Sequence, residues 1–145
     1  MRRLAENFYV AGQMKPDDVG AAAAVGVKHV VNNRPDGEAL GQPASDAIKK
    51  ACDAAGLDYR YAPISGGVFP AWAIADLRDC IATQEPVLAF CRSGARSTRL
   101  WALTQVGSLS IDDIVNIAAA AGYDLSDFRD ALENQAANNG KENHG

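Results

Sequence analysis

Cysteine is scarce in this chain: three residues in 145, widely spaced and odd in number, which excludes a disulfide framework. The two histidines stand far apart, so no spaced ligand set for a metal is present, and neither metal nor cofactor is expected. Positive charge is not in excess either. Fourteen Lys and Arg against eighteen Asp and Glu leave a net charge of -4, which gives no footprint for nucleic acid. No run approaches the ~20 apolar residues of a membrane span, and Glu6 and Asn7 interrupt the stretch after Met1-Arg2-Arg3 before a signal-peptide core reaches adequate length. The expectation is a cytoplasmic protein without membrane or nucleic-acid partners. No repeat or linker divides it; a single domain over 1–137 with a polar, flexible tail over 138–145 is predicted.

Against this background one stretch stands out. Pro86-Val87-Leu88-Ala89-Phe90 is a short apolar run with a proline before it and Cys91-Arg92-Ser93-Gly94-Ala95-Arg96-Ser97 after it. The run reads as a buried parallel strand, and helical periodicity takes over from about Ser97. Cys91 therefore falls in a tight loop at the mouth of a helix, where backbone N–H groups and the helix dipole favour an anion. Such a setting makes a cysteine nucleophilic, and Arg96 closes the loop beside it. A core role for Cys91 conflicts with its neighbours, because Arg92 and Arg96 cannot be buried with it unpaired. Gly94 suits a backbone that approaches a ligand closely.

The remainder alternates strand and helix. Phe8–Ala11 reads as a strand and Pro16 opens a helix with Asp17 and Asp18 in its first turn. Lys28–Asn32 is a β-branched strand that leads into a polar loop, Asn33 to Glu38. Helical spacing returns from Ser45 to Ala55, a third strand runs from Leu57 to Ile64, and Pro70–Thr83 is a helix. Cys52 and Cys80 fall on the apolar faces of these helices and read as core. Ser110 begins a further helix with a capping-box-like start, and Ser126 begins the last, through about Ala137. This order predicts an α/β fold of three layers, a mainly parallel sheet flanked by helices. In such sheets ligands sit beyond the carboxyl ends of the strands, so the loops carrying Arg34, Asp36, Glu38, Ser65 and Cys91 should converge there.

Phe8-Tyr9-Val10-Ala11-Gly12, Gly26 to Asn32 and the Cys91 loop together resemble the cysteine-dependent, dual-specificity phosphatase fold. More narrowly, Asn32-Asn33-Arg34-Pro35-Asp36-Gly37-Glu38 with Cys91 to Ser97 is similar to the family named after the phosphatase-like domain of beta-lactamase hydrolase-like proteins. That resemblance implies proteins found alone or fused to a persulfide dioxygenase, some of them regarded as sulfurtransferases. Two departures from the phosphatase pattern bear on chemistry. Arg96 closes a C-x4-R loop, as in single-domain rhodaneses, where phosphatases carry C-x5-R. The Ser65-Gly66-Gly67 loop also lacks the Asp, Glu or His that would protonate an alkoxide leaving group.

Both departures lead to the expectation of a rhodanese-like sulfurtransferase. Its Cys91 would carry a persulfide held by Ser93, Gly94, Ala95, Arg96 and Ser97, while Arg92 and Arg34 with Asp36 line the anion site. The partners would be a small anionic sulfur donor, a thiol acceptor such as glutathione or a thioredoxin-like protein, and a persulfide dioxygenase. A cysteine-based phosphatase with Asp36 or Glu38 as substitute acid is the alternative, and a non-catalytic persulfide or redox sensor is a third.

Overall fold

The computed structural model describes residues 1–144. Five strands, β1 (Arg2–Ala5), β2 (Phe8–Ala11), β3 (His29–Asn32), β4 (Asp58–Tyr61) and β5 (Val87–Phe90), alternate with helices α1 (Pro16–Ala24), α2 (Ser45–Ala55), α3 (Ala71–Ala82) and α4 (Ala95–Gln105). The chain ends with α5 (Ile111–Ala120), a short 3-10 turn (Ser126–Phe128) and α6 (Arg129–His144). The sheet order is β1-β2-β5-β3-β4, with β1 antiparallel to β2 and all other pairs parallel. The strand that delivers Cys91 is thus the middle one, buried along its whole length.

Alternation along β5 assigns the two cores. Leu88 and Phe90 face one side, where Val19, Ala22, Ile48 and Cys52 of α1 and α2 cover them. Val87 and Ala89 face the other side, with Leu77 and Cys80 of α3 and Leu100, Trp101, Ile114 and Leu132 beyond. Fully buried side chains such as Ile48 and Leu77 each contribute about 1.5–3 kcal/mol over leaving them in water. Burial pushes the Cys52 and Cys80 thiols up to about 11, as expected of packing residues.

Local signals explain the boundaries. Pro16 stands at the start of α1, and the Lys15 N–H donates to the Asp18 carboxylate at 2.8 Å. Ser110 accepts from the Asp113 N–H at 3.0 Å and caps α5. Three elements differ from the expectations of the sequence. Strand β1 has no sequence signature, because its mostly exposed, arginine-bearing pattern shows no apolar alternation; it exists through pairing with β2. Helix α4 begins at Ala95 rather than Ser97, and α6 continues past Ala137 to His144. Among the described residues no helix is long and apolar enough to cross a membrane.

Candidate active site

Three strand ends build the site. At the exit of β5 the Cys91 N–H donates to the Ala11 carbonyl at 3.3 Å, and one residue on, the Arg92 carbonyl accepts from the Gln13 N–H at 3.2 Å. Gly12 is needed for this approach, since a Cβ there would stand 3.0 Å from the Arg92 carbonyl oxygen. On the opposite flank the Asn33 N–H donates to the Phe90 carbonyl at 2.8 Å. The loop is therefore stitched to both neighbouring strands before it turns into α4.

Within the loop, Gly94 adopts φ +94°, the left-handed region that favours glycine, and caps α4. Its N–H donates to the Cys91 sulfur at 3.1 Å. Cys91 itself is 1% exposed. Gly94 also accepts, through its carbonyl, from the Thr98 hydroxyl at 2.8 Å.

Arg96 lies in the first turn of α4, and its guanidinium reaches back across the loop. Nη1 donates to Glu38 Oε2 at 2.7 Å and to the Ile64 carbonyl at 2.8 Å, while Nη2 donates to Glu38 Oε1 at 2.8 Å. The bond to Arg96, helped by one from Arg34, holds the Glu38 carboxyl at about 2 against the opposing effect of burial. The Arg96 charge is reinforced in turn, first by Glu38 and also by the Cys91 sulfur. The oxygen partners of Arg96 among the described residues all lie on its terminal nitrogens, so the guanidinium is held by its outer fork and keeps its Nε edge uncommitted to any carboxylate or carbonyl.

The other residues expected in the anion site divide into walls and supports. Arg34 is 5% exposed, with Nε on Glu38 at 2.9 Å and Nη1 on Gln13 at 3.1 Å. It is placed behind Glu38 and not as an open cation. Ser97 is fully buried and donates to Asn33 Oδ1 at 2.8 Å, while the Asn33 amide donates to the Ala62 carbonyl at 2.9 Å. Asp36 accepts from the Ser45 N–H at 2.8 Å, and its own N–H donates to the Tyr61 hydroxyl at 2.9 Å, so it shapes the loop after β3. Arg92 and Ser93 are exposed, and Ala95 is half-buried.

Sequence reasoning missed two contributors. Glu38 entered as part of the converging loop and as a substitute acid, yet it is the anchor of Arg96. Tyr123, which follows α5, donates from its hydroxyl to the Ser93 carbonyl at 3.1 Å; no motif near it signals this. His29 is 9% exposed and stands between Asp58 at 3.1 Å and Glu85 at 3.0 Å, at the amino end of the sheet and away from the Cys91 loop. A cavity of about 500 Å³ lies between α1 and the β1–β2 edge; it is lined by Gly12 and Gln13 but by none of residues 91–96, so the chemistry is located by the loop and not by that hollow.

Residues 1–108 match the family described as beta-lactamase hydrolase-like protein, phosphatase-like domain. A beta-lactamase hydrolase-like protein from Agrobacterium fabrum is 36% identical over 138 residues, 93% of this chain and 32% of the relative; the chain thus spans about a third of the relative's length. Among solved structures, a candidate phosphatase from Neisseria meningitidis is 31% identical with a TM-score of 0.80, over 92% of this chain and 96% of the other. Human DUSP28, at 14% identity, covers 98% and 99% with a TM-score of 0.69 and shares the fold.

These likenesses overturn the sulfurtransferase expectation, together with the persulfide-carrying role of Cys91. In the structure α4 starts directly after Gly94, the Gly94 N–H points at the Cys91 sulfur, and Arg96 in the first turn reaches back across the loop. With its matched profile, its 36% identical relative and its cysteine-phosphatase architecture all in agreement, the chain belongs to the family of beta-lactamase hydrolase-like protein, phosphatase-like domains.

Proposed function

We propose that this protein is a cysteine-dependent phosphatase acting on phosphate monoesters. The observation that carries the reading is the pairing, in one loop, of a sulfur bearing a backbone N–H donor at 3.1 Å with a guanidinium clamped by Glu38 through its outer fork. The Nε edge of Arg96 and the loop N–H groups supply fixed donors for phosphoryl oxygens.

In the first step Cys91 Sγ attacks phosphorus, an S–P bond forms, and the P–O bond to the leaving group breaks. Water then attacks phosphorus of the cysteinyl phosphate, inorganic phosphate leaves, and Cys91 is regenerated. No electrons change hands. Glu38 does not serve as the acid, because Arg96 and Arg34 keep it ionised far below neutrality. Asp36 is occupied with the Ser45 N–H. The leaving group therefore departs with a proton from solvent, which favours aryl phosphates, whose phenolate is a stable anion, over alkyl phosphates. Three free thiols fit a reducing, cytoplasmic setting.

Release of phosphate from para-nitrophenyl phosphate, lost in Cys91→Ser, tests the reading. Full activity in that variant, or none in the parent, would overturn it.

A further inference from the structure

We infer that Tyr123, which lies outside the 1–108 family match, is a positioning residue that locks the Ser93–Gly94 peptide so that its N–H points at the Cys91 sulfur. The inference rests on the phosphatase reading for its role in catalysis, although the lock is testable apart from it. A peptide unit is planar and trans, so its C=O and N–H point in opposite directions. Here the two ends of one unit are both engaged: the Ser93 carbonyl accepts from the Tyr123 hydroxyl at 3.1 Å, and the Gly94 N–H donates to Sγ at 3.1 Å. Holding the outer end fixes the inner one.

The lock is needed because of Gly94. At φ +94° a glycine has no Cβ to resist rotation of the preceding peptide, and a flip would turn the Ser93 carbonyl oxygen toward the sulfur and toward any bound anion. Tyr123 also fills the space that a side chain at 94 would take, since a Cβ there would collide with the Tyr123 hydroxyl. The phenol is itself held. The Arg2 guanidinium stands 5.7 Å from the ring centroid, and Arg2 Nη1 donates to the Ala121 carbonyl. Burial pushes the Tyr123 hydroxyl above its ordinary value, so it keeps the proton it donates. Hydrogen bonds in series polarise one another, and O–H to C=O, then N–H to S, is such a series. Strand β1, the element without a sequence signature, thereby gains a use: its arginine braces the residue that aims the loop.

Tyr123→Phe removes the hydroxyl and retains the ring. Exchange of the Gly94 amide, followed by NMR, should accelerate at least about fivefold, in line with the loss of one hydrogen bond. The kcat/KM for para-nitrophenyl phosphate should fall about tenfold, mostly in kcat, because the aimed N–H counts most where charge develops. Ser110→Ala, which loses the cap of the same helix α5, is the control for general loosening; it should lower the melting temperature by about 2–4 °C and leave both readouts alone. Unchanged Gly94 exchange in Tyr123→Phe, or the same losses in Ser110→Ala, would overturn the inference. Faster Gly94 exchange in Tyr123→Phe, together with no phosphatase activity in the parent, would leave the lock standing and sink the phosphatase reading instead.

Discussion

Cys80 and Cys91 invite comparison, since both are buried, at 0% and 1% exposure, and both lie near an arginine that is paired with a carboxylate. Arg60 stands by Cys80 and reaches Asp58 at 3.4 Å; Arg96 stands by Cys91 and is bonded to Glu38 at 2.7 Å. Yet Cys80 is pushed up to about 11, because burial outweighs the pull of Arg60. What separates the two is backbone. Cys80 sits inside α3, where N–H groups are spent on the helix ladder. Cys91 sits one residue past a strand, ahead of a helix that starts at Ala95, and receives the Gly94 N–H directly. Both sulfurs have an arginine nearby; among the described residues, it is Cys91 that receives a backbone N–H at a strand-to-helix turn.

The comparison breaks at once if the two cysteines are interchangeable. Cys91→Ser should reduce hydrolysis of para-nitrophenyl phosphate by at least about a thousandfold with the melting temperature little changed, while Cys80→Ala should leave kcat within about twofold of the parent. A phosphorylated protein trapped at Cys91 by rapid quench and mass spectrometry would sharpen the distinction further.

Next in size are changes to the arginine clamp. Arg96→Lys keeps the charge and loses the planar fork, so kcat/KM should fall about a hundredfold. Glu38→Gln leaves Arg96 one neutral acceptor where it had two carboxylate oxygens, and a drop of about tenfold is expected, with phosphate inhibition weakened in parallel. If Glu38→Gln is instead more active, the carboxylate competes with substrate and does not position Arg96.

Glu38 also sets a pH dependence. Its carboxyl is held at about 2 in the fold against 4.5 for the free group, so the contribution to stability is complete above about 4.5 and disappears as pH falls toward 2. Thermal melting between pH 5 and 2.5 should show a shallower acid limb in Glu38→Gln than in the parent. Identical limbs would mean that the clamp adds nothing to the fold.

Much of this is legible in the chain itself. The apolar run before Cys91, the proline ahead of it and the polar residues behind it announce a central strand and a reactive loop, and β5 is the middle strand. Topology also brings the Arg34–Glu38 loop to the same end of the sheet. The pairing of Glu38 with Arg96 is not legible, because it joins residues 58 positions apart, and periodicity carries no information at that range. Tyr123 is invisible for the same reason. The start of α4 is not legible either: it begins at Ala95 after Gly94 at φ +94°, and counting residues between Cys91 and Arg96 does not show where a helix begins.

The smallest expected effect belongs to Cys80, and it tests the comparison from its quiet side. Its thiol is fully buried against the core beneath α3, close to the ion cluster of His29, Asp58 and Arg60. Cys80→Ala removes one sulfur and leaves a small void, at a cost of about 1 kcal/mol, a drop in melting temperature of about 2–4 °C. Cys80→Ser should cost more despite its closer size, because a hydroxyl placed there requires a hydrogen-bond partner and a buried orphan is penalised by about 1–3 kcal/mol. The order Ser worse than Ala, with hydrolysis untouched in both, is what a packing cysteine gives. If Cys80→Ser proves the more stable of the two, the site beneath α3 is polar enough to satisfy a hydroxyl, and burial alone does not account for the raised thiol.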